Sequence, residues 1–426
     1  MHIRNIRWPQ DARALAEHIT RVHDAETSEL LMQWYGRYPG FDPQDCFVIE
    51  GEDGEIAAHT MIIPRSLRIG AAVIPTGEIG VVGTLERFRQ RGYARALMDH
   101  ALERMTARGD ALSLVLGIPN FYEQWDYEYA AGLYLTSYES EIETALALQA
   151  GEWSATHSYQ RRTRDYLGIR GRQDTLVRHF DLGDLEAVMA LYDRESAAGH
   201  YMVARDIEEW EWQLNFNADL GRFAYDDFLV AEREGRVLGY VRICTAQPMN
   251  WFRGESAARF SVIESAGEDP DATEALLRAV GQRAVELDID RIGLFVHPDS
   301  RLMRHALAHG AVRRHFTGAA FLRLHDLERL AELLHPALAL RLAESRYVAR
   351  PFRLELVTDT QSAALDFNGG GDVVRVEGRD VDLVRLISGW FGVDDLPTDY
   401  YSEAQADLLR VLFPKRDPRL GMADFL

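Results

Sequence analysis

VGTLERFRQRGYARALM, residues 82–98, places a strand, a basic glycine turn and a helix start in immediate succession. Val82 and Thr84 alternate about Gly83 as a short strand would have them. Arg89, Gln90, Arg91, Gly92, Tyr93 and Ala94 then bring a run of backbone N–H groups to a helix N-terminus. Unpaired donors and the helix dipole both favour a bound anion there. Gly92 and Ala94 lack bulk where phosphate oxygens must approach. The following helix carries Leu97, Met98, Ala101, Leu102 and Met105 at spacings of three and four and stops at Gly109. The stretch therefore reads as a pyrophosphate cradle on a packed support, against the plainer alternative of Arg87, Arg89 and Arg91 as a solvated basic face.

Working outward, the 426 residues suggest two or three domains. Hydrophobic residues make up 47%, yet no apolar run approaches the twenty or so residues of a membrane span. The opening MHIRNIRWPQDARALAEH has no apolar core of a signal peptide, so a cytoplasmic location is expected. Cys46 and Cys244 stand alone, which gives neither a disulfide framework nor a zinc site, and no metal is expected. His305 and His309 are one helical turn apart, but no third ligand is near and they read as a solvated helix face. A net charge of −20 argues against nucleic acid and anionic membrane as partners and is compatible with cationic amines.

Residues 1–150 form the first expected domain. A helix from Asp11 to His23 leads to the strand Cys46–Ile49, a turn at Glu52–Glu55, a return strand Ile56–Ile63, the cradle, and a buried strand Ala111–Leu116. Residues 151–322 read as a degraded copy, with Phe228–Glu232 and Glu234–Tyr240 repeating the hairpin and Ile292–Val296 the later strand. The cradle is not repeated: Glu264 to Pro270 is acidic where phosphate would need donors. Residues 323–426 make a small α+β module, with a helix Leu327–Leu342 and a strand Phe352–Val357. Phe367 to Val376, around Gly369, Gly370 and Gly371, reads as a hairpin.

Arg89-x-x-Gly92-x-Ala94 after a strand resembles the acetyl-CoA motif of the GNAT N-acetyltransferases. Two tandem GNAT units, only the first with a cradle, followed by a module similar to the sterol-carrier-protein-like domain, resemble the Eis (enhanced intracellular survival) acetyltransferases over essentially the whole chain. The resemblance implies an α+β fold, layered as α/β, with mixed, mostly antiparallel sheets. It also implies acetyl-CoA as co-substrate and a homo-oligomer, a hexamer among the forms. It implies that the backbone of Val82, Gly83 and Thr84 pairs with the pantetheine arm, that Arg89, Gln90, Arg91, Gly92, Tyr93, Ala94 and Arg95 cradle the pyrophosphate, and that Gly117 and Ile118 flank the acetyl-bearing sulfur. Tyr122, in Tyr122-Glu123-Gln124-Trp125-Asp126-Tyr127, matches the family's catalytic tyrosine, with Asp126 in place of the usual glycine. The main-chain carboxylate of Leu426 matches its catalytic chain terminus.

The implied activity is direct acetyl transfer to a primary amine of an aminoglycoside, polyamine or lysine, with Tyr122 as general acid and the Leu426 carboxylate as general base. Backbone N–H groups of a splayed strand would polarise the thioester carbonyl. Glu78, six residues before Thr84 and so on its face of a regular strand, is the alternative base. Tyr122 also reads as core, within an aromatic cluster of Phe121, Trp125 and Tyr127. Trp34, Tyr35 and Tyr38 read either as an acceptor-pocket wall or as ordinary packing. A second functional class is lipid binding by the third module around Phe352, Leu354, Trp390 and Phe391, with a vestigial first domain.

Overall fold

A computed structural model describes the chain except for residues 1, 118–120, 134–154, 163–173, 200, 221–226, 245–259, 289–290, 309–311, 318, 397–400, 422–423 and 425–426. From the N-terminus the elements are β1 (Ile3–Asn5), α1 (Ala12–Val22), α2 (Ala25–Trp34), β2 (Cys46–Glu50), β3 (Ile56–Ile69), β4 (Ala72–Thr84), α3 (Tyr93–Arg108), β5 (Leu112–Val115) and β6 (Glu128–Leu133). There follow β7 (Ala155–Arg162), β8 (Leu176–His179), α4 (Leu185–Ala197), α5 (Ile207–Leu220), β9 (Phe228–Arg233), β10 (Arg236–Cys244), β11 (Ser261–Gly267), α6 (Pro270–Glu286), β12 (Arg291–Leu294), α7 (Arg301–Ala308) and β13 (Val312–Thr317). The chain closes with β14 (Ala319–Leu324), α8 (Leu327–Ala343), β15 (Phe352–Val357), β16 (Ser362–Phe367), β17 (Asp372–Glu377), α9 (Asp380–Ser388), α10 (Glu403–Leu412) and β18 (Arg419–Leu420).

Two compact units result. The first comprises Met1–Ala131, Arg205–Trp212 and Ala320–Arg416; the second comprises Gly132–Ala204, Gln213–Ala319 and Asp417–Leu426. In the first unit the main sheet runs β1-β2-β3-β4-β5-β14-β6. Its inner pair, β4 and β5, is parallel, and the neighbouring β2–β3 and β3–β4 pairs are antiparallel. The α3 stripe of Leu97, Met98, Ala101 and Met105 is fully buried against Phe47, Ile49, Ala58, Ile62, Ile79 and Val115. The second unit repeats this order as β8-β9-β10-β11-β12-β7-β13, again with a central parallel pair, β11 and β12. The mixed, mostly antiparallel α/β sheets expected from sequence are thus present in both units.

Connectivity departs from a simple tandem. β7, next after β6 in the chain, lies between β12 and β13 of the second unit, and β14 returns to lie between β5 and β6 of the first. A further correction concerns the glycine-rich loop of the third module. β16 and β17 are not a hairpin: both flank β15, antiparallel and parallel to it respectively. Asn368, Gly369 and Gly370 carry positive φ values of 52°, 91° and 76°, which lets the chain cross from one side of β15 to the other. A Cβ on Gly371 would stand 2.8 Å from the Pro351 carbonyl oxygen, so the crossing is tight.

One irregularity in the first sheet shapes everything near the cradle. His59 pairs with Gly83 but Met61 pairs with Gly80, so Val81 and Val82 oppose Thr60 alone. This β-bulge adds one residue to β4 and holds Val81 at φ 55°, an outlying conformation for a β-branched side chain. It also reverses the alternation of faces. Thr84 lies opposite Ala58, on the α3 side, whereas Glu78 lies opposite Ile63 on the other. The shared face expected for Glu78 and Thr84 is therefore wrong, because an inserted residue shifts a period of two by one.

Candidate functional site

β4 and β5 stay paired from Thr76↔Leu112 to Ile79↔Val115. Beyond Ile79, β4 continues through Gly80 to Thr84 while β5 ends, so the last residues of β4 leave β5 behind. The cradle follows. Gly92 is the N-cap of α3 at φ 77°, with no side-chain cap and no acidic residue in the first turn. Gln90 is also left-handed, at φ 62°, and the alternation of left-handed and ordinary residues turns successive N–H groups toward one concavity. A Cβ on Gly92 would meet nothing within 4 Å, so the backbone there is open.

The basic side chains divide. Arg87 is neutralised by Asp53, at 2.5 Å, and by Glu55. Arg95 stacks on Trp125, 5.4 Å from the ring centroid, and donates to Gln124. Arg89 and Arg91 each donate to a backbone carbonyl at 3.4 Å, Arg91 also lies over the Phe88 ring at 5.3 Å, and neither has a carboxylate partner among the described residues. An uncapped helix end, two left-handed residues, open backbone and two guanidiniums without a carboxylate partner among the described residues fit a pyrophosphate. The second unit shows the contrast: at α6 the Asp269 side chain accepts from the Ala272 N–H at 2.8 Å and is itself paired with Arg233 at 3.0 Å. There the protein's own carboxylate fills the anion position.

Tyr122 begins a short 3-10 turn that ends in Asp126, whose φ of 61° lies in the left-handed region that favours glycine. The tyrosine is 8% exposed among Phe121, Trp125, Tyr127 and Phe321. Its hydroxyl makes no hydrogen bond among the described residues, and burial pushes its pKa up to about 12. Gly117 lies directly beneath the ring: an added Cβ would stand 2.1 Å from it. Tyr122 and Gly117 are thus brought together at the end of β5. Ile118 and Leu426 lie outside the described residues, as does His309. His305 is 3.3 Å from Glu274. Among the described residues no cluster of three or more His, Cys, Asp or Glu side chains could hold a metal.

Glu78 is not a free base. It accepts from Arg65 Nε at 2.7 Å, and the two side chains are 7% and 1% exposed. Arg65 also donates to the Tyr38 hydroxyl at 2.9 Å and lies 3.4 Å from Glu209, to which Tyr38 donates at 2.8 Å. Trp34 and Tyr38 stack beneath the guanidinium, and Trp212 meets both rings edge-on. Burial opposes the charge on Arg65, but Tyr38 and the two carboxylates outweigh it and hold its pKa above that of a free guanidinium. Trp34, Tyr35 and Tyr38 are each 5% exposed or less. Sequence reasoning missed this cluster; its one signal is an arginine inside an apolar strand.

Residues 2–130 match the family model described as an acetyltransferase (GNAT) domain. No protein of curated function matches the sequence. Among solved structures, a GCN5-related N-acetyltransferase from Kribbella flavida aligns with a TM-score of 0.67 and 16% identity, covering 98% of this chain and 97% of that one. A GCN5-related N-acetyltransferase from Anabaena variabilis gives 0.67 and 15%, over 98% and 99%. Eis1 from Mycobacterium abscessus gives 0.57 and 18%, over 99% of both chains. At these identities the neighbours establish the fold. Residues 2–130 therefore carry a GNAT acetyltransferase domain, a kind of domain that uses acetyl-CoA as co-substrate.

Proposed function

We propose that the protein transfers acetyl directly to a primary amine of a cationic acceptor of the aminoglycoside, polyamine or lysine type. The observation that carries the reading is the open, uncapped end of α3 beside the Gly117–Tyr122 pair. The net charge of −20 supports a cationic acceptor. Bound acetyl-CoA supplies the activated thioester. Arg89 to Arg95 hold its pyrophosphate, and the bulged end of β4, Val82 to Thr84, presents backbone groups to the arm.

Tyr122 is the general acid. A proton moved from a phenol at about 12 to a thiolate near 8.5 climbs about 5 kcal/mol. Its donation is therefore concerted with its own reprotonation. The Leu426 carboxylate is the general base; Asp424, two residues earlier, is buried and accepts from Gln213 at 3.3 Å. Residues 151–322 serve as a GNAT fold without a cradle, in keeping with the Asp269 cap, and residues 323–426 as a sterol-carrier-like module. A homo-oligomer belongs to the same reading, and light scattering measures it.

The test is thiol release from acetyl-CoA across a panel of amines, comparing wild type with Tyr122→Phe and with a chain extended beyond Leu426. Turnover with wild type and loss in both variants is expected. Undiminished turnover in both removes the proposed acid–base pair. Tight lipid binding with no amine turned over would favour the lipid-binding alternative.

A further inference from the structure

Three histidines gather on the α1 side of the first sheet, beside the bulge: His18 on α1, His23 at its C-cap and His59 on β3. His18 and His59 are 3% and 0% exposed, and their rings meet edge to face with centroids 6.1 Å apart. His18 Nδ1 is 2.8 Å from the Ile56 carbonyl oxygen, and His59 Nε2 is 2.5 Å from the Tyr35 hydroxyl. Burial holds His18 down at about 4 and His59 well below an ordinary imidazole. Both stay neutral and closed to solvent.

His23 differs in access. It is exposed, and its Nε2 stands 3.5 Å from the point a Cβ would occupy on Gly83, the residue that follows the bulge. Val22 is nearer still, 2.8 Å from the same point, so the end of α1 rests on this strand and only glycine fits beneath it. Thr84 Oγ1, next along β4, is buried with no hydrogen-bond partner among the described residues. The charged and titratable groups around His23 are Asp24 beside it, His18 and Arg21 on α1, His59 on β3, and Glu55, which Arg21 engages. Desolvation by the packed atoms around it lowers the pKa of His23, outweighing Asp24, which acts in the opposite sense. At neutral pH the ring is an uncharged acceptor, open to solvent, over the end of β4.

We propose that His23 takes the first proton from the acceptor's ammonium, in the acetyl transfer proposed above, on which this inference rests. The proton moves from nitrogen to the imidazole. The freed lone pair then forms the C–N bond, the C–S bond breaks with its electrons going to sulfur, and sulfur takes the Tyr122 proton. The second proton on the new amide nitrogen goes to the Leu426 carboxylate and returns through water to the phenolate, while His23 releases its own proton to solvent. Neutral amine, rather than ammonium, is thereby available at neutral pH although the acceptor's own pKa lies well above it.

Two measurements test the assignment. His23→Gln retains a hydrogen-bonding side chain but cannot accept a proton. It should lower kcat/KM for the amine by about 100-fold or more at pH 7 and remove the acidic limb of the pH profile, with coenzyme A affinity and thermal midpoint unchanged. An intact acidic limb in this variant overturns the proposal. Independently of turnover, the His23 ring is titrated by NMR in the coenzyme A complex with and without spermidine. A bound ammonium beside it should depress its pKa further, by about half a pH unit or more. An unmoved titration overturns the proposal even if amines are acetylated; a shift without any acetyl transfer would support the placement of His23 while removing the proposed activity.

Discussion

Glu78→Gln separates the two roles open to the only carboxylate that sequence reasoning placed near the end of β4. The Arg65–Glu78 pair is 2.7 Å long and both side chains are almost wholly inaccessible. Removing one partner of such a pair typically costs about 3–5 kcal/mol, because the other charge is left buried. Glutamine restores one hydrogen bond, and Arg65 keeps Tyr38 at 2.9 Å and Glu209 at 3.4 Å. The expected loss is therefore at the low end, about 3 kcal/mol. In a unit of this size that corresponds to a fall of roughly 6–12 °C in the melting midpoint, measured by calorimetry or circular dichroism. Below the new midpoint, kcat/KM should change by less than about tenfold, and the shape of its pH dependence should persist. An unchanged midpoint together with a lost acidic limb would refute the structural role and make Glu78 the base.

Gly117→Ala places a methyl 2.1 Å from the Tyr122 ring; turnover should fall about tenfold or more with coenzyme A affinity retained, and a variant as active as wild type would show that the ring position is not critical. Asp126→Gly relieves a left-handed aspartate at φ 61° and should stabilise the protein by about 0.5–1 kcal/mol in denaturant titrations, with activity kept. Asp110 has its pKa raised to about 6, chiefly by burial, with Asp45 adding to the rise and Arg108 opposing it. Its folded-state pKa exceeds the unfolded value near 3.8, so the folded protein binds the extra proton. The contribution to stability grows as pH falls from about 6 to about 4 and is lost as pH rises through 6. Asp110→Asn should raise the melting midpoint at pH 8 and flatten this slope between pH 4 and 6; a steeper slope would contradict the assignment.

What was legible in the sequence was local. The turn between β4 and α3, the α3 stripe and the β2–β3 hairpin follow from spacing and turn chemistry within a few residues, and each forms where the pattern puts it. The bulge at Val81 and Val82 was not legible, since an extra residue in an apolar strand leaves no mark in composition. Yet it determines which face Glu78 occupies, and hence that Glu78 meets Arg65 while Gly83 meets the end of α1. Strand pairing was equally hidden. β7 and β14 are each plausible strands, but the choice of neighbour depends on sheets built from residues over a hundred positions away. The same holds for the crossing at Gly369 to Gly371, where three glycines permit a hairpin and a crossover alike and the parallel partner β15 selects the latter.

The two copies of the sheet sharpen what distinguishes a site from a scaffold. Both units have a central parallel pair and a helix that begins near its end, so topology alone does not make an anion site. In the second unit Asp269 satisfies the helix donors and Arg233 satisfies Asp269, leaving no electrostatic vacancy. In the first unit no side chain caps α3, and Gly92 keeps its donors open to solvent. With glycine at the N-cap instead of a side-chain acceptor, the helix forgoes only a few tenths of a kcal/mol. In a chain whose other unit closes the same position with its own carboxylate, that open helix end is the difference on which the proposed cofactor site rests.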